Sequence, residues 1–187
     1  SGWGPRVHLL PSEEALAHRE AVDRVGAPAR LRLSLTGVTN AYDLVLLDCP
    51  PALGELTRNS LAAADSALVV TEPGFFALRG AAQALHAIAV ARESINLGLR
   101  PAGIVVNRMR PNLTEHQFRL KELHSAYPDL VLEPVIPERS AVQQAQGAGL
   151  PVQAWPSPGA RDVTEAFDDL LDLMLTEQLP HQPSALG

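Results

Sequence analysis

The sequence lacks the paired cysteines of disulfides and iron–sulfur clusters, and it has no long apolar run. It has one cysteine, Cys49, and one lysine among its 187 residues, and only 4% of its residues are aromatic. A single cysteine excludes both an internal disulfide and the paired thiolates of an iron–sulfur centre, and it fits a reducing cytoplasm. No apolar run approaches the ~20 residues that span a bilayer. The six histidines also lack the spacing of a zinc site.

Negative charge collects near the C-terminal end. Residues 161–187 carry six acids and one arginine, whereas the rest of the chain is nearly neutral, although the net charge is −6. The overall charge therefore neither supports nor excludes DNA binding. The helix predicted over 161–178 is amphipathic but acidic, so anionic lipid should repel it. We expect no membrane partner.

Apolar runs alternate with helical stripes along the chain. Runs typical of strands cover 7–10, 44–48, 67–71, 102–107 and 130–136. Helical patterns cover 12–25, 30–38, 56–64, 75–95, 114–126, 141–146 and 161–178. Strands that alternate with helices predict an α/β fold, a three-layer sandwich with a mostly parallel sheet. The apolar residues of the last helix that should face inward are Val163, Ala166, Phe167, Leu170, Leu173 and Met174.

The segment from Tyr42 to Gly54 carries the strongest functional signal. Four apolar residues, 44–47, indicate a strand buried on both faces, and the run ends at Asp48 before two prolines. Ligands bind at the carboxyl ends of strands in open α/β sheets, and Mg²⁺ prefers oxygen ligands. Asp48 is therefore a candidate magnesium ligand. The alternative is a solvated carboxylate at the start of a turn.

The stretch from Tyr42 to Pro73 resembles the region around the second nucleotide motif of the ParA family. These proteins are deviant P-loop ATPases that move plasmids and chromosomes, and the MinD proteins are their relatives. The resemblance continues through residues 75–80, 103–107, 135–137 and 147–152. It implies a P-loop NTPase-like fold. The motif Asp48-Cys49-Pro50-Pro51 is more similar to the corresponding sequence of ParA proteins than to that of MinD proteins.

The domains of that family begin with a glycine-rich phosphate loop that carries two lysines. Residues 1–187 do not contain such a loop. Lys121, the one lysine, lies in a predicted helix with no glycine-rich loop before it. We expect the phosphate loop and the N-terminal strands to precede residue 1. Residues 1–179 would then form a single partial ParA-like ATPase domain and 180–187 a tail. Such a chain could not enclose a triphosphate by itself.

The resemblance implies a site for ATP and Mg²⁺. Asp48 would hold the water shell of the metal, Asn107 would read adenine, and Pro137 with Glu138 would lie beside the adenine ring. A turn residue is the equal alternative for Asn107, because asparagine tolerates unusual backbone angles. Glu138 stands where arginine is more usual in the family, and Gln144 stands where glutamate is common. These departures weaken any transfer of DNA-contacting residues.

Three arginines lie near the predicted nucleotide loops. They are Arg108, Arg110 and Arg139. ParA proteins bind DNA nonspecifically through basic residues in comparable loops, and arginine suits phosphate because its guanidinium donates two parallel hydrogen bonds. The slightly favoured alternative is a set of surface ion pairs. The acids available for them are Glu115, Glu133 and Glu138.

The resemblance implies an ATPase for chromosome or plasmid partitioning. Its members form ATP-dependent homodimers, bind DNA nonspecifically and hydrolyse ATP when a ParB-like protein stimulates them. We therefore expect a cytoplasmic, nucleoid-associated enzyme whose catalytic residues are unknown in this chain. The first alternative is a truncated or degenerate relative that acts as a protein-interaction module. The alternative within the family is a MinD-like ATPase that positions the division site.

Overall fold

The computed structural model describes residue 4, residues 6–12 and residues 29–178, without the side chains of 177 and 178. The chain divides into two compact units, and each is described by itself. The C-terminal unit contains Val70–Ala77 and the chain from Ile104 onward, together with the first residues up to Val7. The central unit contains His8–Val69 and Leu78–Gly103. The predicted helix 12–25, apart from its first residue, and the predicted tail 180–187 lie outside the described residues.

Helices make up most of the regular structure. They are α1 (Arg30–Leu35), α2 (Glu55–Ala63), α3 (Ala77–Ser94), α4 (Thr114–Ala126), α5 (Ser140–Gly147) and α6 (Pro158–Gln178). The strands are β1 (Ser66–Thr71) and β2 (Arg100–Val106), and single 3₁₀ turns cover Thr39–Ala41 and Val152–Ala154. The six helices found in the described residues all match segments predicted from the sequence, although α1 ends three residues earlier than expected. None of the described helices combines the length and the hydropathy that crossing a bilayer requires.

Strands β1 and β2 pair in parallel. The amide of Arg100 donates to the carbonyl of Asp65 at 3.2 Å, and seven residues later the amide of Asn107 donates to the carbonyl of Thr71 at 2.8 Å. Both strands therefore advance in the same direction, with α3 as the connection that a parallel pair requires. The predicted α/β class with a parallel sheet is confirmed.

The segment predicted as a strand over 130–136 forms one bridge with β2, and a second bridge lies just beyond both. The first parallel bridge joins Ile104 to Val131, and the second joins Met109 to Pro137. Between them lies Pro134, which has no backbone N–H to donate to a ladder. The prediction of a continuous strand was therefore wrong, although the segment does follow the edge of β2. Its end at Pro137 is held next to Met109 by this pairing.

Two other predicted strands are also absent from the described residues. Residues 7–10 and 44–48 have no regular secondary structure, and the apolar side chain of Leu46 is 75% exposed. A strand exists through the hydrogen bonds of a neighbouring strand, and no described strand pairs with either segment. The expectation that 44–47 is buried on both faces was wrong for this reason. Asp48 consequently follows a run in which Val45 and Leu46 are exposed and the other two residues are half-buried.

The acidic helix α6 buries a narrower stripe than the sequence predicts. Val163, Ala166 and Leu170 are buried, at spacings of three and four residues. Phe167 and Leu173, which were also expected to face inward, are exposed. Both lie at the edges of the apolar stripe, since each residue turns about 100° around the helix axis. Helix α6 therefore contributes one central row of side chains to the core of the C-terminal unit.

Candidate functional site

The loop after Asp48 is anchored to α2 in the central unit. Thr57 is buried, with 7% of its surface exposed, and its hydroxyl donates to the carbonyl of Ala52 at 2.6 Å. Gly54 is the residue before the helix, and its carbonyl accepts the amide of Arg58 at 3.0 Å. Asp48 itself is exposed. The loop is thus held to α2 at Ala52 and Gly54, while the carboxylate of Asp48 faces solvent.

The arrangement around Asp48 suits magnesium only in a particular way. Among the described residues, no three histidines, cysteines or acids are grouped as a metal site. A cage built from protein ligands is therefore not present in that part of the chain. Mg²⁺ commonly takes one or two carboxylates and fills its shell with water and phosphate oxygens. One exposed carboxylate fits that mode, in which the nucleotide brings most of the ligands.

Asn107 directly follows β2 and begins a tight turn in the C-terminal unit. Its side-chain oxygen accepts the amide of Arg108 at 2.9 Å, and Arg108 has φ of 58°, in the left-handed region. Few residues other than glycine adopt this conformation. The local hydrogen bond corresponds to the turn role that was the alternative to adenine recognition. The turn also directs the following arginines toward the loop at Pro137.

Two of the predicted arginines meet on one acid. The carboxylate of Glu138 accepts a hydrogen bond from Nη2 of Arg108 at 3.0 Å and another from Nε of Arg110. Arg108 also donates from Nη1 to Glu72 at 3.0 Å. We call these four residues, Glu72, Arg108, Arg110 and Glu138, the arginine–glutamate cluster. Its formal charge is zero, because two guanidinium groups face two carboxylates.

Arg139 pairs with a carboxylate outside that cluster and touches the cluster only at the backbone of Glu138. Its Nε donates to Asp162 at 2.9 Å, and its Nη1 donates to the backbone carbonyl of Glu138 at 3.0 Å. Gly159 lies against its side chain, since a Cβ built there would be 3.2 Å from the Cδ of Arg139. Asp162 was not among the acids considered from the sequence. Asp162 is 23 positions from Arg139 in the sequence, and only the packing of α6 brings the two side chains together.

Of the three acids considered as partners, only Glu138 contacts any of these arginines among the described ion pairs. Glu115 pairs with Arg119 at 2.7 Å, and Glu133 pairs with the ring of His124 at 3.0 Å. The ion-pair alternative thus describes the geometry, although two of its three partners were assigned wrongly. Ion pairing at an exposed arginine does not by itself prevent contact with phosphate.

The sequence analysis missed an aromatic cluster around Arg119. The guanidinium of Arg119 lies 5.0 Å from the ring centroids of both Phe75 and Phe118, and Phe76 packs edge to face on Phe75. The hydrogen bonds that Arg119 donates to Glu122 and, with a smaller effect, to Glu115 raise the pKa of Arg119 above its ordinary value. The adjacent phenylalanines after Gly74 were a visible signal. The contact between Phe75 and Arg119 of α4 could not be predicted from the sequence, because it depends on the fold.

Curated relatives match most of this chain. Soj of Thermus thermophilus, named a chromosome-partitioning ATPase, is 36% identical over 166 residues, which cover 88% of this chain and 66% of Soj. The chromosome partitioning protein ParA of Myxococcus xanthus is 33% identical over 150 residues, covering 78% of this chain and 52% of that protein. The chain spans about half to two thirds of the length of the curated relatives it matches.

A solved structure with a similar fold also matches most of this chain. The crystal structure titled cobyrinic acid a,c-diamide synthase from Mycobacterium smegmatis has a TM-score of 0.70 and 30% identity. The match covers 87% of this chain and 61% of the synthase chain. Further structures of that synthase contain ADP or an ATP analogue with magnesium. The sequence profile described as an AAA domain matches residues 4–100. The chain therefore belongs to this AAA domain family, among the ParA/MinD-type P-loop ATPases.

Proposed function

We propose that this chain is the C-terminal part of a ParA-type partitioning ATPase. Residues 1–179 would form part of a single ATPase domain that an upstream phosphate loop completes. The observation that carries the proposal is the Asp48-Cys49-Pro50-Pro51 loop in a chain 36% identical to a Soj ATPase. The activity is ATP hydrolysis, a phosphoryl transfer to water that depends on positioning and charge stabilisation. Chromosomes or plasmids would be its cargo.

In this proposal Asp48 orients the water shell of Mg²⁺ bound to ATP. Its exposed position leaves the carboxylate open to a hydrated ion. Asn107, Pro137 and Glu138 would line the adenine side. Pro137 is held beside Met109 by a parallel bridge, so backbone groups rather than side chains would contact the base there. The solved relatives that contain ADP and magnesium support this assignment.

The assembled enzyme would be a homodimer that binds DNA nonspecifically and responds to a ParB-like protein. Arg108, Arg110 and Arg139 would contact phosphates, since all three lie at the surface of the C-terminal unit. The names of the ParA and Soj relatives support a role in partitioning. The protein would then be cytoplasmic and associated with the nucleoid.

The experiment uses the protein encoded by the complete gene, with its thermal unfolding measured with and without Mg-ATP. A ligand that binds only the folded state stabilises it by about 2.7 kcal/mol at a hundred times its Kd. We expect a clear rise in melting temperature and phosphate release that DNA and a ParB-like protein accelerate. An unchanged melting temperature at saturating Mg-ATP would contradict the ATPase and favour a non-catalytic interaction module.

A second candidate comes from the solved relative titled cobyrinic acid a,c-diamide synthase, at 30% identity. That protein is named as a synthase of cobyrinic acid a,c-diamide. If this chain belonged to such a synthase, ATP consumption would require cobyrinic acid and would ignore DNA. The same phosphate-release assay with each addition separates the two functions. ParA and Soj names among the curated relatives favour partitioning.

A further inference from the structure

The arginine–glutamate cluster has the geometry of an oxyanion site that already holds an anion. Both oxygens of Glu138 accept hydrogen bonds, one from Arg108 and one from Arg110. A phosphate group between the same two guanidinium groups would accept the same donors, because carboxylate and phosphate oxygens bind arginine in similar ways. Glu138 therefore stands where a phosphate would bind.

The backbone keeps this carboxylate next to the arginines. The amide of Met109 donates to Ile136 at 2.9 Å, and the amide of Glu138 donates back to Met109 at 2.9 Å. These two bonds join the segment of the arginines to the segment of the glutamate. The carboxylate is thus present at a high effective concentration, as any group linked through a short, ordered connection is.

Exposure shows that the cluster is nevertheless accessible. The side chains of Arg108 and Arg110 are 50% and 58% exposed, and that of Glu138 is 21% exposed. Ion pairs open to water contribute little to stability, and salt weakens them further. A polyanion that brings several phosphates could therefore displace Glu138, whereas a single weakly bound anion would compete poorly.

We propose that Glu138 is a built-in competitor of the DNA backbone, which occupies the phosphate site of Arg108 and Arg110 until duplex DNA displaces it. This inference rests on the DNA-binding part of the proposed function. Glu72 contributes in the same sense through Arg108, at 3.0 Å. The consequence is that the cluster, with zero formal charge, binds DNA more weakly than its two arginines would alone. Glu138 thereby limits how long the protein stays on nonspecific DNA.

The test measures binding of a fluorescent random-sequence duplex to the complete protein, with Mg-ATP present, at several salt concentrations. Glu138→Gln keeps the shape of the side chain and removes its charge. We expect tighter binding and a slope of log K against log salt that is steeper by about one to two, at ~0.9 per phosphate neutralised. Arg110→Ala in the Glu138→Gln background should reverse much of the gain. Thermal unfolding of each variant checks that it remains folded.

Glu122→Gln is the matched control. Glu122 also pairs with an arginine, Arg119 at 2.7 Å, and its loss changes the net charge by the same amount. An equal gain from Glu122→Gln and Glu138→Gln would mean a general charge effect and would overturn the competitor role. If wild type binds DNA and Glu138→Gln changes nothing, the competitor fails while DNA binding stands. If neither protein binds, both the competitor and DNA binding by this chain fail.

Discussion

The hydroxyl of Thr57 donates to the carbonyl of Ala52 at 2.6 Å, and this bond joins the loop after Asp48 to the first turns of α2. Thr57 is the buried polar residue of the described chain. The bond ties a buried side chain to the backbone of an exposed residue, Ala52. We therefore expect the conformation of the loop after Asp48 to depend on Thr57.

Replacing Thr57 with valine should destabilise the protein by about 0.5–1.5 kcal/mol, because the shape is kept while the hydrogen bond to the carbonyl of Ala52 is lost. Urea unfolding followed by circular dichroism measures the change. Thr164→Val is the control, since that hydroxyl bonds the carbonyl of Ala160 within the same helix and should cost less. Equal losses in the two variants would contradict the anchoring role.

Asn96 holds the end of α3 to α2 in the central unit. Its side-chain nitrogen donates to the carbonyls of Leu61 at 2.9 Å and Ala64 at 2.8 Å. Asn96→Ala removes both bonds and should lower the free energy of unfolding by about 1–3 kcal/mol. Asn59→Ala, which removes a bond to Glu55 within α2, should cost clearly less. A loss no larger than that of Asn59→Ala would show that the link between the helices is unimportant.

Two leucines of α6 test the narrow buried stripe. Leu170 is 4% exposed and Leu173 is 42% exposed. Leu170→Ala should cost about 2–5 kcal/mol, the usual range for a cavity in a core. Leu173→Ala should cost under about 1 kcal/mol, because little apolar area leaves the interior. Similar losses of stability in the two variants on denaturant unfolding would contradict the narrow buried stripe.

The proposed role of Asp48 is tested in the complete protein by isothermal titration with ADP, with and without Mg²⁺. Asp48→Asn should remove most of the gain in affinity that magnesium produces, since an amide holds a cationic water shell less well than a carboxylate. Binding of ADP without magnesium should be unchanged. Asp43→Asn, an exposed carboxylate five residues earlier, is the control. A magnesium effect preserved in Asp48→Asn would remove Asp48 from the metal site.

Local patterns predicted much of the fold. The helices α2 and α4 match their expected ranges closely, and β1 and β2 fall on the apolar runs near 67–71 and 102–107. These segments are predictable because helical periodicity and short β-branched runs are properties of neighbouring residues. The position of Asp48 after an apolar run was also visible, but its burial state was not.

The sequence by itself determined the family, the helices and the residue types at the two loops. The tertiary structure decided which charges meet: Glu138 takes Arg108 and Arg110, while Arg139 takes Asp162 on α6. It also left 44–48 without a ladder among the described residues. The physical reason is common to both. Ion pairs and strand pairing join residues far apart in the chain, and only packing determines which of several possible partners arrives within a few ångströms.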